Sequence, residues 1–215
     1  MKKVVSILGD PYHPHEPLVQ FIQTILKQLP QKTYWKDSGM EELGKELGDK
    51  PDLVILSKEN RLSLGDAVKN MWLTKELDHA LENYVAEGGN LLALHSGLSC
   101  YPETSRYHQL LKGRFVHHPK QTQVTYQLTD GTSFSFYDEH YFTQVKQEET
   151  EIFLRSFSIY GESLAAWRHS YGKGKVLCYT PAHSLAGMLE DMNQRTLIEN
   201  ILWFLRVNDL LASSY

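Results

Sequence analysis

The sequence predicts an α/β protein built on a doubly wound, mostly parallel sheet with added antiparallel strands. Short apolar runs alternate with segments of helical period, the pattern that parallel crossover units produce. The run Leu91 to Leu94 is apolar at every position and so reads as a strand buried on both faces. It follows the pair Gly88-Gly89 and ends abruptly in His95-Ser96-Gly97. Later segments switch to strict alternation, the period of half-buried antiparallel strands.

Val4 to Leu8 opens the sheet and stops at Gly9-Asp10-Pro11. Leu18, Phe21, Ile22, Ile25, Leu26 and Leu29 recur at helical spacing behind Pro17, which suits a helix start. Lys32 to Trp35 reads as a short strand and Leu53 to Leu56 as a second buried one. Thr74 can cap a helix carrying Leu77, Leu81, Tyr84 and Val85 on one face, and Gly88 supplies its left-handed stop. The strand ending at His95 follows. Alternation in Gln123 to Leu128 and in Thr132 to Tyr137 predicts the antiparallel additions. Ile152 to Phe157, Leu164 to Trp167 and Val176 to Tyr179 give further strands, the last two joined at Gly172-Lys173-Gly174. A final helix from about Gln194 to Leu211 turns Leu197, Ile201, Phe204 and Leu205 inward. Without a repeat, a low-complexity tract or a Pro/Ser-rich linker, residues 1–215 are expected to form a single domain.

Composition narrows the function. A chain of 215 residues, 41% hydrophobic, can bury a large core. A net charge of -4 with no clustered lysines or arginines argues against a nucleic-acid partner and for a small-molecule ligand. The N-terminal apolar stretch is too short for a signal segment or a membrane span, so no membrane partner is expected. Cys100 and Cys178 suggest no disulfide framework, which fits the cytoplasm. Monomer or homodimer stays open.

Titratable residues collect after predicted strand ends, where open α/β sheets bind ligands. The first strand runs into His13, His15 and Glu16, the fourth into His95-Ser96, and the last into His183. Any one of these is more simply a loop residue or a satisfied half-buried donor, and the three prolines around His13 equally suit a plain turn; their convergence favours a site. His118 follows Gly113-Arg114-Phe115, and Asp138-Glu139 stands beside Tyr141, able to orient a polyol or to supply a general base, or else to form a solvated junction. Trp167-Arg168 can present an aromatic face and a cation, or be a core tryptophan beside a surface arginine.

Together these residues resemble the trehalose-utilisation, or ThuA-like, family, a branch of the flavodoxin-like, class I glutamine amidotransferase-like fold. The resemblance covers most of the chain. It is carried by Leu94-His95-Ser96-Gly97, Gly113-x-Phe115 with His118-Pro119, Asp138-Glu139-x-Tyr141, and Ala166-Trp167-Arg168 through Tyr171-Gly172-Lys173-Gly174-Lys175-Val176 to His183. Ala182 replaces the family's usual glycine, and Leu128-Thr129-Asp130-Gly131 stands where a histidine-proline pair is usual. The amidotransferase turn reads glycine-x-cysteine-x-glycine; here His95 takes the thiol's place, so glutamine hydrolysis through a thioester is excluded. Ser96 is shifted by one from the nucleophile position.

The resemblance implies a carbohydrate or keto-sugar ligand. The expectation is an enzyme, a sugar isomerase or hydrolase, with His95, Glu139 and His183 as acid/base groups and His13, His15, Glu16, Ser96, His118, Asp138, Tyr141, Trp167 and Arg168 around the substrate. A zinc-like divalent ion held by His95, His183, and His13 or His15 near Glu16 is an open alternative. The competing expectation is a non-catalytic carbohydrate-binding or regulatory domain that kept the crevice and lost the chemistry.

Overall fold

In the computed structural model, residues 1–63 and 70–205 are described. Strand β1 (Lys2–Leu8) is followed by α1 (His15–Lys27) and β2 (Thr33–Asp37), which pairs parallel to β1. Pro17 lies inside the first turn of α1 and does not begin it. That is tolerated because first-turn N–H groups have no partner within the helix. Helix α2 (Leu43–Gly48) leads to β3 (Leu53–Ser57) on the other side of β1. The hydroxyl of Thr74 accepts the Leu77 N–H at the start of α3 (Lys75–Ala86), and Gly88, at φ +122°, ends that turn before β4 (Asn90–Leu94).

The chain continues through α4 (Arg106–Leu111), β5 (Gly113–His117), β6 (Thr122–Leu128), β7 (Ser133–Asp138), β8 (Phe142–Val145), β9 (Glu151–Ser158), β10 (Gly161–Tyr171) and β11 (Gly174–Tyr179). Helices α5 (Leu185–Met188) and α6 (Asp191–Leu205) follow. The nine-stranded sheet has the order β2-β1-β3-β4-β11-β10-β9-β6-β7. Its first five strands are parallel, with β11 returning beside β4, and the rest are antiparallel.

The doubly wound expectation holds in the core. Leu53 and Ile55 of β3 and Leu92 and Leu94 of β4 pack with α1 and α6, through Phe21, Ile25, Leu197, Ile201 and Phe204. Val54, Leu56, Leu91 and Ala93 point the other way, onto Leu43, Leu81, Tyr84 and Tyr107. Strands flanked by helices on both sides need apolar side chains at every position, hence the unbroken runs.

Strand β10 runs beyond Leu164–Trp167 at both ends, where it stays paired with β9 and β11 through residues that periodicity does not mark as apolar. The separate pair β5–β8 was not anticipated: Gly113 lets it close on Trp167, whose ring would lie 2.5 Å from any Cβ at that position. The expected helix end at Leu211 lies outside the described residues. No described helix is long and apolar enough to cross a membrane.

Candidate metal centre

At the end of β1 the chain turns sharply, with Asp10 and His13 exchanging backbone hydrogen bonds at 3.0 and 3.2 Å. The buried carboxylate of Asp10 accepts from the Tyr12 and His13 N–H groups and from His13 Nδ1, the last at 2.7 Å. The imidazole is thus fixed with Nε2 pointing onward. Burial alone would raise the Asp10 carboxyl, but the hydrogen bond and charge of His13 hold it well below the usual carboxylate range.

His95 is the first residue after β4 and adopts φ 46°, a left-handed conformation that costs a non-glycine residue roughly 1 kcal/mol or more. The turn behind it presses on β3: a Cβ on Gly97 would sit 2.1 Å from the Leu56 carbonyl oxygen. Glycine is therefore required there. The His95 Nδ1–H donates to the Thr180 carbonyl oxygen at 2.6 Å, which leaves the lone pair on Nε2. Burial pushes His95 down, toward the neutral form.

Asp138 does not face the opening. Fully buried at the end of β7, it accepts from the Tyr126 hydroxyl at 2.6 Å and from the His183 N–H at 2.8 Å. These bonds tie β6, β7 and the loop after β11 together and bring Glu139 beside His183. Glu139 Oε2 lies 3.2 Å from His183 Nδ1, 3.7 Å from His95 Nε2 and 3.8 Å from His118 Nε2. Burial would raise the Glu139 carboxyl, but the surrounding imidazoles hold it well below the carboxylate range, and the carboxylate in turn raises His183.

Nε2 of His13, Nε2 of His95 and Nδ1 of His183 are buried without a hydrogen-bond partner. One ligand atom from each of these residues and one from Glu139 lie within 4.8 Å of one another. Buried polar atoms are rarely left orphaned, and lone pairs converging on a carboxylate define a cation site. Two ligands of a tetrahedral zinc-like ion stand about 3.4 Å apart, so the widest pair in the group closes by a little over an ångström when the ion binds. The donor set, imidazoles with one carboxylate, fits such an ion. One wall is aromatic: Tyr141 stacks on His95 with ring centroids 4.1 Å apart, and Phe115 and His118 continue it.

Several expected site residues lie elsewhere. His15 is exposed and bonds Asp37 at 2.6 Å, because it begins α1 and faces β2. Glu16, exposed in the first turn of α1, is not the acid of the cluster; Glu139 fills that place. Ser96 is wholly buried in the turn after β4. Trp167 is in the core with its indole N–H on the Leu111 carbonyl, and Arg168 pairs with Glu151 and Asn200. Both sit inside the sheet opposite Cys178 and Leu177, since β10 runs antiparallel and its turn with β11 lies at the far edge. Asp10 was not singled out by itself, although its place three residues before His13 in a strand-end turn is the available signal.

With this geometry in view, the profile of the trehalose-utilisation (ThuA) family matches residues 12–204. The chain belongs to this family. Among solved structures it is similar to a ThuA-like protein from Parabacteroides merdae (14% identity, 94% of this chain and 89% of the other, TM-score 0.69). Another, from Bacteroides uniformis, gives 14% identity, 96% and 92% coverage and a TM-score of 0.66. The ThuA fold also resembles part of Gan42B, a GH42 beta-galactosidase (13% identity, 95% of this chain but 30% of the other, TM-score 0.64). At such identities the likeness concerns the fold alone. No curated protein sequence matches this chain.

Proposed function

We propose that this ThuA-family chain is a cytoplasmic, divalent-metal-dependent enzyme acting on a carbohydrate or keto-sugar. The convergence of unpartnered imidazole nitrogens from His13, His95 and His183 on Glu139 carries the reading. A zinc-like ion held there would supply Lewis acidity toward a sugar carbonyl or hydroxyl oxygen. His13 and His95 are the more deeply buried and have their second nitrogens committed to Asp10 and Thr180, so they act as fixed holders. His183 and Glu139 lie nearer the opening, with 23% and 12% of their side chains exposed, and would complete the ligand set of the ion. The exposed ring of His118, backed by Phe115 and the buried Tyr141, supplies a face for a sugar ring.

A second reading, acid/base catalysis without an ion, is favoured by the 3.2 Å His183–Glu139 pair. Elemental analysis of the purified chain, chelation, and a turnover assay with keto-sugars before and after metal return separate the two. The expected result is about one zinc-like ion per chain, loss of turnover on chelation and recovery with metal. Turnover that survives complete metal loss assigns the chemistry to Glu139 and His183 alone.

A further inference from the structure

The two edges of the nine-stranded sheet are built differently. At one stands β2, with Lys36 and Asp37 in the strand and Lys32 just before it, charged side chains of the kind that keep a sheet edge from pairing with another chain. At the other stands β7, whose residues Ser133 to Tyr137 include no charge and no proline. Its pairing with β6 runs unbroken from Ser133 opposite Gln127 to Asp138 opposite Thr122, without a bulge. Among the described residues β7 pairs with β6 alone, so the backbone N–H and C=O groups along its outer side are open to another strand.

Side chains alternate along β7. Phe134, Phe136 and Asp138 turn inward, with Phe136 against Gly187 of α5, while Ser133, Ser135 and Tyr137 turn out. Thr125 of β6 pairs with Ser135 on one side and with Phe157 of β9 on the other, so Tyr137 lies at the same end of the sheet as the β9–β10 turn, Ile159-Tyr160. Large apolar side chains are left bare there: Tyr137 is 62% exposed, Ile159 83% and Tyr160 46%. Such a cluster beside an open edge marks a contact surface.

We propose that β7 is a dimerisation edge, along which two copies of this chain pair antiparallel about a two-fold axis at Ser135 and join their sheets into one. The occupant is a second copy because the strand is complementary to itself. In that register Tyr137 of each copy lies across from Ser133 of the other, a large side chain beside a small one, and Phe134 lies across from Phe136 on the buried side. A two-fold axis brings like charges together. In a chain of net charge -4, β7 is the edge that exposes none, since its one acid, Asp138, is turned inward onto Tyr126 and the His183 N–H. Ile159 and Tyr160 extend the contact past the strand and add apolar area that a backbone ladder alone lacks.

Sedimentation velocity of the full chain at about 1–100 µM tests it, with a dimer of Kd on the order of 10 µM expected for a small edge interface. Ser135→Lys sets two cations face to face at the axis and should weaken the dimer by about tenfold or more, as should Ser135→Glu with two anions. An equimolar mixture of the two variants should pair again, because a lysine then meets a glutamate; a misfolded variant could not be rescued in this way. Tyr34→Lys, on the β2 edge, should leave the dimer unchanged. A chain that stays monomeric throughout overturns the proposal and leaves the edge to a strand of another protein. A dimer that withstands both Ser135 substitutions, a mixture that stays monomeric, or a dimer lost in Tyr34→Lys overturns it as well.

Discussion

The carboxylate of Asp10 accepts from Nδ1 of His13, so the imidazole lone pair is left on Nε2, facing His95 and His183. Asp10→Asn removes the charge and lets an amide nitrogen compete for the same place, which favours the wrong tautomer. Zinc affinity, measured against a competing chelator, is expected to fall by about 10–100-fold, together with a lower melting temperature because the Asn amide also meets the N–H groups that Asp10 accepts from; equal affinity would remove Asp10 from the site. The neighbouring choice between His13 and His15 was not legible in the sequence. Both follow the same strand among prolines, and only the closed turn at residues 10–13 sends one inward and the other to Asp37. Glu139 and His183 were legible as candidates because each follows a strand that periodicity alone identifies.

At the scale of the element, the turn after β4 holds His95 in its left-handed conformation, and Gly97 is what lets that turn lie against β3. Gly97→Ala is expected to lose several kcal/mol of stability or to displace the turn, because Leu56 O is backbone and cannot swing away. A melting curve together with a zinc titration checks it: an alanine variant as stable and as metal-competent as the parent would show that the close approach is not needed. The buried strands were readable because each is apolar at successive positions. The β5–β8 pair was not, since Gly113-Arg114-Phe115 and Phe142 to Val145 are short and partly exposed, and their pairing is decided by Trp167 beneath them. Trp167 and Arg168 were misplaced for a related reason: sequence gives a strand's position but not its direction in the sheet.

For the whole molecule, acid stability should turn on His169, which ties β10 to the end of α4. Its Nε2–H donates to the Leu110 carbonyl at 2.9 Å, and Nδ1 is buried without a partner. Burial pushes His169 down to about 4. A depressed histidine stabilises the fold in its neutral form, so its contribution is complete above the unfolded value near 6.5 and is lost as pH falls from there toward 4. The loss amounts to about 3 kcal/mol. Denaturant unfolding at successive pH values should show that decline, and His169→Gln, which keeps a donor but does not titrate, should make it shallower while His95 and His140, also pushed down by burial, keep the remainder; an unchanged slope in the variant would assign the acid sensitivity to other groups.

The site draws His13, His95 and His183 from the ends of parallel strands and Glu139 from the link between β7 and β8, at the antiparallel end of the sheet. An ion bound by all of them would work as a staple across the seam between these two halves, closing a loop from position 13 to position 183 much as a disulfide does. A nascent chain cannot complete such a cross-link until it has emerged as far as His183 and both halves have docked. Metal binding and resistance to proteolysis would then arrive in the same step, and a chain that had built only its parallel half would have neither.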